Sequence, residues 1–531
     1  MKFPARTRDT KAPTSFESSE EQVVAKRELA RIVRGGTLNL VGAVVSAATG
    51  FLQVVVVTRF FTPEDAGSLF SATSAFTILV TVAMLGTETG LARFWIPLKV
   101  HGRTTDLEVM RRVALRPVLF VSFLAVAVGF LAAGWISHRI GIEGPAASTV
   151  VRLMVIFVPI ATLGRFLLAE TQALGRMRPT VVIDKLIRSI AQPLGAFVVG
   201  LTGGGLIALS GSWVAPFGLA LLLATPLVRR SNGTALSPRA KSDVRRLRRE
   251  FWSFTWPRSL ASISQIAIQR FDIIVIASAL GAKEAAIYTA ATRFVVVGQF
   301  AVAAIQQILQ PRMSAMLAKD QLTALKTVFP TATAWNVAVA WPLYITVACG
   351  ASIYLGVFGQ GYTSSTAVGV VVTMAVAMML AVAAGPLDTL LLMAGHSRAS
   401  TVNALVALFV NVILCIALIP SSGIPGAAVA WGAAVVVRNV LTYFQVRSAL
   451  NISPFSPGVL VAVILPLVAF ALPQSVAVTV TDQSLTSFGV ATAAGFLLYA
   501  SGLWFARNLL SLSSLKALLP RRLTEKCLCE S

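Results

Sequence analysis

Runs of about 20 largely apolar residues recur from one end of this chain to the other, which limits the fold more than any other feature of the sequence. A bilayer core about 30 Å thick is crossed by roughly 20 helical residues. The chain is only 13% charged, about half the fraction that is usual in soluble domains. The sequence therefore predicts an all-α polytopic membrane protein.

The apolar runs predict fourteen transmembrane spans. Their approximate bounds are 35–59, 66–89, 114–137, 149–172, 179–201, 205–228, 252–280, 285–309, 329–354, 366–394, 400–420, 424–446, 457–475 and 486–506. The residues before position 35 are polar and lack an apolar run, so they do not resemble a secretory signal peptide. We expect them to form a cytoplasmic tail.

Basic residues predict the orientation of the spans. With a cytoplasmic N-terminus, most Lys and Arg residues fall in cytoplasmic segments, and the external segments contain Arg59, Arg139 and Lys283. This asymmetry follows the positive-inside rule. Because the chain is rich in Arg, Ala and Val, we expect a bacterial source. The predicted location is the bacterial cytoplasmic (inner) membrane, with both termini in the cytoplasm.

The same asymmetry accounts for the net charge of +23 without a nucleic-acid partner. The segment RAKSDVRRLRRE (239–250) predicts an orientation signal that contacts anionic membrane lipids. The sequence predicts no fold that would present this charge to nucleic acid.

A polar interruption near 229–250 separates six predicted spans from the next eight. The predicted domains are a tail (1–34), a six-helix lobe (35–228), a basic cytoplasmic loop (229–250), a second six-helix lobe (251–446), two additional helices (447–506) and a cytoplasmic tail (507–531).

The two lobes show a faint internal repeat. FTPEDAGSLFSATSAF (61–76) aligns without gaps on LGAKEAAIYTAATRFV (280–295), a shift of 219 that also places Arg93 on Arg312. Because each copy has an even number of spans, both have the same orientation. Such repeats predict two pseudo-symmetric lobes around a central cavity that rock for alternating access.

Span 7 carries a polar stripe. Arg258, Ser262, Gln265, Gln269 and Asp272 fall within about 80° of one another at 100° per residue, with Arg270 on the flank. Hydrocarbon penalises such a face, so the stripe predicts one wall of a wet cavity. Two alternatives stay open, namely that Arg258 snorkels to the membrane interface and that Arg270 forms an ion pair with Asp272 or a neighbouring helix.

Other spans carry similar groups. In span 8, Gln299 lies on the polar face and Arg293 lies to one side; interhelical hydrogen bonding is the alternative for Gln299. In spans 4 and 5, Arg165 has no obvious partner on its own helix, whereas Asp184 and Arg188 are four residues apart and predict an ion pair.

Basic groups outnumber acidic ones within the spans, which favours an anionic ligand, and the arginine fork suits phosphate or pyrophosphate. The predicted substrate-binding residues are Arg165, Arg188, Arg258, Gln265, Gln269, Arg270, Asp272, Arg293 and Gln299. The carboxylates predicted for ion coupling are Glu88, Asp272 and Asp388.

The sequence predicts a protein that is not an enzyme and that binds no cofactor or metal. It contains no P-loop, HExxH or GxSxG motif. Cys349 and Cys415 fall in spans, and Cys527 and Cys529 are too close together for the usual zinc-ligand spacing.

Four segments combine Gly, Ala, Tyr and Pro in loose patterns, namely LGAKEAAIYTAATRF (280–294), QQILQPRMSAML (306–317), LLLMAGHSR (390–398) and GIPGAAVAWGAA (423–434). They resemble the oligosaccharide flippase family, the polysaccharide-biosynthesis transporters of the multidrug/oligosaccharidyl-lipid/polysaccharide exporter superfamily. The resemblance implies two lobes that enclose a cationic cavity, with basic groups in spans 7 and 8 that match Arg258, Arg270 and Arg293. It also implies that a polyprenyl-pyrophosphate-linked oligosaccharide moves to the outer leaflet, and that a glycan polymerase or glycosyltransferase is a partner.

Three alternatives remain open at this point. The lipid II flippase of peptidoglycan synthesis also has fourteen spans and a cationic cavity. Its relatives usually have a serine- and arginine-rich first span, whereas span 1 here has no basic residue before Arg59. Multidrug exporters of the superfamily typically have twelve spans and carboxylate-lined sites. A non-transporting scaffold for glycan assembly would lack a charged cavity.

Overall fold

The computed structural model describes residues 39–100, 104–229, 241–480 and 485–510, and these residues are helical almost throughout. The main helices are α1 (Asn39–Phe60), α2 (Pro63–Met84), α3 (Thr87–Val100), α4 (Thr104–Leu131), α5 (Ala133–Arg139), α6 (Ala147–Ala173), α7 (Ser189–Leu201), α8 (Leu206–Arg229), α9 (Lys241–Leu280), α10 (Ala282–Ala318), α11 (Leu322–Cys349), α12 (Ala351–Gly356), α13 (Ser365–Ala383), α14 (Leu387–Met393), α15 (Ser397–Leu450), α16 (Pro457–Pro466), α17 (Leu472–Val480) and α18 (Leu485–Phe505). Short π-helical segments, Thr180–Arg188 and Leu467–Ala471, lead directly into α7 and α17.

Eleven helical stretches of the described residues are long and apolar enough to cross a membrane. One of them, α15, contains two passes, because Gly423 turns the chain with a φ of 62° in its middle. Two further passes, the Thr180–Leu201 segment and α10, are not among the eleven, and both carry polar residues that line cavities. Together these passes correspond to the fourteen predicted spans.

Large apolar side chains cover the outer faces of these helices. Leu131 is 89% exposed, Leu222 is 73% exposed and Leu497 is 75% exposed. Soluble monomers rarely expose so much contiguous apolar surface, whereas a bilayer buries it. The exposed faces therefore agree with a chain that is embedded in lipid.

The internal repeat is visible in the helix boundaries. The first residues of α2 and α10 are Pro63 and Ala282, an offset of 219, which is the shift that the sequence alignment predicts. Offsets of 218 relate α4 to α11, α5 to α12 and α6 to α13. The short helices α5 and α12 also belong to the repeat, although the sequence did not predict either of them.

Two predicted segments differ in the structure. Predicted span 2 (66–89) breaks after α2, where Leu85 and Gly86 have φ values of 49° and 70° and turn the chain into α3. A Cβ at Gly86 would lie 2.8 Å from the backbone nitrogen of Ser259, so the turn fits closely against α9. Residues 241–250 of the predicted loop 229–250 are helical, since α9 already begins at Lys241.

At one end of the bundle, which we call the Arg59 end and which the positive-inside rule predicts to be external, an equivalent pair of helices from the two copies is in contact. The Arg59 guanidinium donates to the carbonyl oxygens of Val357 and Gly356, at 2.8 and 2.9 Å. Gly67 of α2 lies against the carbonyl group of Ala282, so closely that a Cβ would overlap it. Helices α2 and α10, which are equivalent in the repeat, therefore pack directly on each other here.

Candidate functional site

A cavity of about 370 Å³ lies between the two halves, and we call it the arginine cavity. Its walls come from α1, α2, α6, the segment Thr180–Leu201 and α8 of the first half and from α9 and α10 of the second. Four arginines line it, namely Arg165, Arg188, Arg270 and Arg293. Asp184 is the one carboxylate among the described residues of its lining. The cavity is therefore strongly cationic.

The arginines of the first half are held by fixed partners. Arg188 Nε lies 2.6 Å from Asp184 Oδ1, so the predicted ion pair is present. Its guanidinium also donates to Gln192 Oε1 at 3.2 Å and lies over the ring of Phe217, 4.9 Å from the centroid. These contacts fix the orientation of the guanidinium while it still faces the cavity.

Arg165 has a partner that the sequence did not reveal, because the partner lies on another helix. Both Nε and a terminal nitrogen of Arg165 lie about 3 Å from Glu88 Oε1 of α3, at 3.0 and 2.9 Å. This pair is partly exposed, so it contributes at most about 1 kcal/mol to stability.

The arginines of the second half are not neutralised in this way. Among the described residues neither Arg270 nor Arg293 forms an ion pair, and Arg293 Nε is buried with no hydrogen-bond partner in this part of the chain. The nearby carboxylate of Asp272 accepts from Tyr288 Oη at 2.5 Å and from the backbone N–H of Ile273 at 2.9 Å. The Arg270–Asp272 ion pair considered from the sequence is thus not formed, and two cations remain available to a ligand.

Tyr288 and Tyr344 are both almost completely buried, but only Tyr288 donates to a carboxylate. We expect Tyr288→Phe to lower the free energy of unfolding by about 1–3 kcal/mol, because it removes a donor from a buried acceptor. Tyr344→Phe is the matched control, because the Tyr344 hydroxyl has no hydrogen-bond partner among the described residues. This substitution should lower the free energy of unfolding much less. Thermal unfolding in detergent measures the stability of both variants. Equal losses of stability would contradict a stabilising role for the Tyr288–Asp272 hydrogen bond.

Two further cavities continue from the arginine cavity. A central cavity of about 300 Å³ shares Ser46, Gly50, Arg270 and Arg293 with it. A third cavity of about 440 Å³ lies in the second half and shares Gln269, Gln299 and Trp431 with the central one. We call the third the amide cavity, because Gln265, Gln269, Gln299, Gln306, Asn336 and Asn439 line it. The shared linings show that the three cavities adjoin one another, and we call this row of cavities the polar path.

The structure groups most of the predicted binding residues along this path. Gln265 and Gln269 line the amide cavity from α9, Gln299 lines it from α10, and Asp272 lines the central cavity. Arg258 differs, because it lines none of the three cavities. Arg258 lies about two helical turns before Gln265, in the part of α9 that is farther from the Arg59 end. This position fits the alternative that Arg258 snorkels to the membrane interface.

The predicted coupling carboxylates Glu88 and Asp388 both have arginine partners. Glu88 pairs with Arg165, as described above, and Asp388 Oδ2 lies 3.0 Å from a terminal nitrogen of Arg438. Asp388 also accepts from Ser400 Oγ at 2.7 Å. Arg438 was missed in the sequence because it lies 50 residues from Asp388, beyond any helical spacing.

The described residues contain no cluster of three or more His, Cys, Asp or Glu side chains that could hold a metal ion. Cys349 and Cys415 are free thiols in the helices. Cys527 and Cys529 lie outside the described residues.

The chain is similar to proteins of known family and fold. A family model for polysaccharide biosynthesis proteins matches residues 32–317, more than half of the chain. No curated protein matches the chain in sequence.

Solved structures with the same fold are distant in sequence. The lipid II flippase MurJ in an inward closed conformation has a TM-score of 0.68 at 12% identity, covering 88% of this chain and 98% of its own. An inward-facing multidrug resistance transporter of the MATE family has a TM-score of 0.60 at 13% identity, covering 76% and 94%. A MOP superfamily transporter from Pyrococcus furiosus has a TM-score of 0.56 at 14% identity, covering 79% and 95%.

At these identities the structural likeness establishes the fold, while the match to the family model covers enough of the chain to establish the family. This multi-pass helical membrane protein has the fold shared by these MOP superfamily transporters and belongs to the polysaccharide biosynthesis protein family.

Proposed function

We propose that this protein is a flippase that moves a polyprenyl-pyrophosphate-linked oligosaccharide from the cytoplasmic to the outer leaflet for cell-envelope polysaccharide biosynthesis. The observation that carries the proposal is the arginine cavity, in which Arg270 and Arg293 form no ion pair among the described residues, while Arg165 and Arg188 are paired with carboxylates. Family membership and the transporter fold support it.

A pyrophosphate suits this cavity chemically. An arginine fork donates parallel hydrogen bonds to phosphate oxygens, and such charge-assisted bonds are about twice as strong as neutral ones. Arg270 and Arg293 have no ion-pair partner among the described residues, so an anion would replace water rather than compete with a carboxylate. Unpaired charges within a membrane are costly and typically mark a substrate pathway.

The cavity carboxylates disfavour the alternative of a cation-coupled multidrug exporter. A cationic drug needs an available carboxylate, yet Asp184 is paired with Arg188 and Asp388 with Arg438. Asp272 forms no ion pair among the described residues, but it shares its cavity with Arg270 and Arg293, which would repel a cation. The lipid II flippase alternative uses the same pyrophosphate chemistry, so the cavity itself does not separate it from our proposal. The identity of the glycan that is carried distinguishes the two functions.

In the proposed mechanism the pyrophosphate binds the arginines between the halves while the prenyl tail stays in the bilayer. The glycan occupies the polar path. Separation of the two halves at the Arg59 end, where α2 and α10 touch, then exposes the headgroup on the opposite side of the membrane. This is alternating access by rocking of two repeats around a fixed site.

Asp272 is our candidate for ion coupling. Of the three predicted carboxylates it alone lines a cavity without forming an ion pair among the described residues, whereas Glu88 and Asp388 are held by arginines. A carboxylate that gains or loses a proton beside Arg270 and Arg293 would change their attraction for an anion.

We also propose contact with anionic lipids at the start of α9, where Arg245, Arg246, Arg248 and Arg249 are exposed. Basic segments at a cytoplasmic membrane surface gain about 1 kcal/mol per residue from anionic lipids. This placement agrees with the proposed location in the bacterial inner membrane.

Lipid analysis of cells with and without the protein tests the proposed function. Cells that lack it should accumulate one prenyl-pyrophosphate-linked glycan, and its mass identifies the cargo. Accumulation of lipid II would favour the peptidoglycan alternative. Unchanged prenyl-linked glycans together with altered sensitivity to cationic drugs would overturn the proposal in favour of an exporter.

A further inference from the structure

The amide cavity differs from the arginine cavity in its chemistry. Its described lining includes four glutamines, two asparagines and two threonines, but only one ion pair, formed by Asp388 and Arg438. Because the charges of that pair offset each other, the lining has no net formal charge. A volume of about 440 Å³ lies within the range of about 300–1,000 Å³ that is usual for ligand sites.

An amide side chain both donates and accepts hydrogen bonds. Vicinal hydroxyl groups of a sugar also do both, so a cavity lined by amides is complementary to a saccharide. Asn336 supports a ligand role, because its side chain lines the cavity, is 1% exposed and has an Oδ1 atom without a hydrogen-bond partner among the described residues. A buried acceptor of this kind is costly unless something bonds to it.

The position of the amides relative to the arginines also matters. Gln265 precedes Arg270 by five residues on α9, and Gln299 follows Arg293 by six on α10, which corresponds to about 8–9 Å along each helix. Both displacements point away from the Arg59 end. The central cavity joins the two regions through Gln269 and Gln299.

We propose that the amide cavity binds the sugar units of the cargo while the arginine cavity binds its pyrophosphate, so that two neighbouring cavities recognise different parts of one lipid-linked glycan. This inference rests on the proposed function and adds a division of the site. It assigns sugar selectivity to the second half and anion binding to the boundary between the halves.

Retention of lipids by the purified full-length protein tests this division. The probe is the prenyl-pyrophosphate lipid fraction of the cells that make the protein, with bare undecaprenyl pyrophosphate added as a reference. Mass spectrometry then gives the ratio of glycosylated to bare lipid that each variant retains. The wild-type protein should retain both, with the glycosylated form enriched.

Gln265→Leu/Gln299→Leu should lower that enrichment about tenfold while bare lipid is retained as before, because two lost hydrogen bonds of ordinary strength have about this effect. Arg270→Gln/Arg293→Gln should lose both lipids. Gln310→Leu/Gln321→Leu is the matched control, since both glutamines are exposed and neither lines the three cavities.

The remaining outcomes contradict either the proposed function or the sugar site. Retention of neither lipid by the wild-type protein would overturn the proposed function itself. Retention of both without enrichment, or unchanged enrichment in Gln265→Leu/Gln299→Leu, would overturn the sugar site alone. Equal loss of both lipids in that variant, with an unchanged unfolding temperature, would place the amides in the pyrophosphate site and also overturn it.

Discussion

Replacing Arg270 by glutamate should abolish transport while leaving the protein folded and inserted. Arg270 lines both the arginine cavity and the central cavity and forms no ion pair among the described residues, so its role in folding is small. A glutamate there would repel a pyrophosphate and could pair with Arg293. We expect translocation of the prenyl-linked glycan to fall at least about a hundredfold, which corresponds to about 2.7 kcal/mol. Glycan export in complemented cells measures the loss.

Arg248→Glu is the matched control, because it makes the same charge change on the same helix at an exposed position that lines none of the three cavities. It should transport at nearly the wild-type rate. Normal transport by Arg270→Glu would refute the placement of the pyrophosphate. Similar losses in both variants would show that the basic charge of α9 acts through insertion or lipid contact instead.

Gly67→Ala should open the Arg59 end. A Cβ at this position would overlap the carbonyl group of Ala282, and a backbone group of a packed helix has little room to move. Overpacking of this kind typically costs about 1–3 kcal/mol, and the cost applies only while α2 and α10 are in contact. The population open at the Arg59 end should therefore rise about tenfold.

Thiol labelling measures this opening. In a chain whose four native cysteines are replaced, Thr73→Cys places a thiol in the arginine cavity, and an impermeant maleimide is added on the predicted external side. Labelling should rise in Gly67→Ala but not in Gly369→Ala, because nothing lies within 4 Å of a Cβ at Gly369. Unchanged labelling in a folded Gly67→Ala protein would contradict the proposed opening at this end.

Much of the fold could be predicted from the sequence, because the length of an apolar run is a local property of the chain. The shift of 219 also reappears in the helix boundaries of α2 and α10. The short helices α5 and α12 were missed, since they are too short to cross a membrane. The turn at Leu85 and Gly86 was missed because the predicted span was continued past Leu85, where the apolar run ends.

The candidate site was less predictable. A helical wheel shows on which face of its own helix a residue lies, but it does not show which other helix packs against that face. The spacing of four between Asp184 and Arg188 was enough to predict their ion pair, which is local. Glu88 and Arg165 lie 77 residues apart, and no periodicity connects them. Arg258 shares a face with Gln265 and Gln269, yet its position along α9 takes it beyond the cavities.

The offset of 219 has a consequence for how a cargo is oriented. It makes Ser74 the counterpart of Arg293 and Gln53 the counterpart of Asp272, so the second copy carries charge where the first is neutral. A duplicated scaffold with identical copies would offer a ligand two equivalent poses, related by the axis between them. Divergence at these positions removes that degeneracy, and an elongated molecule with one charged end can then enter in a single direction.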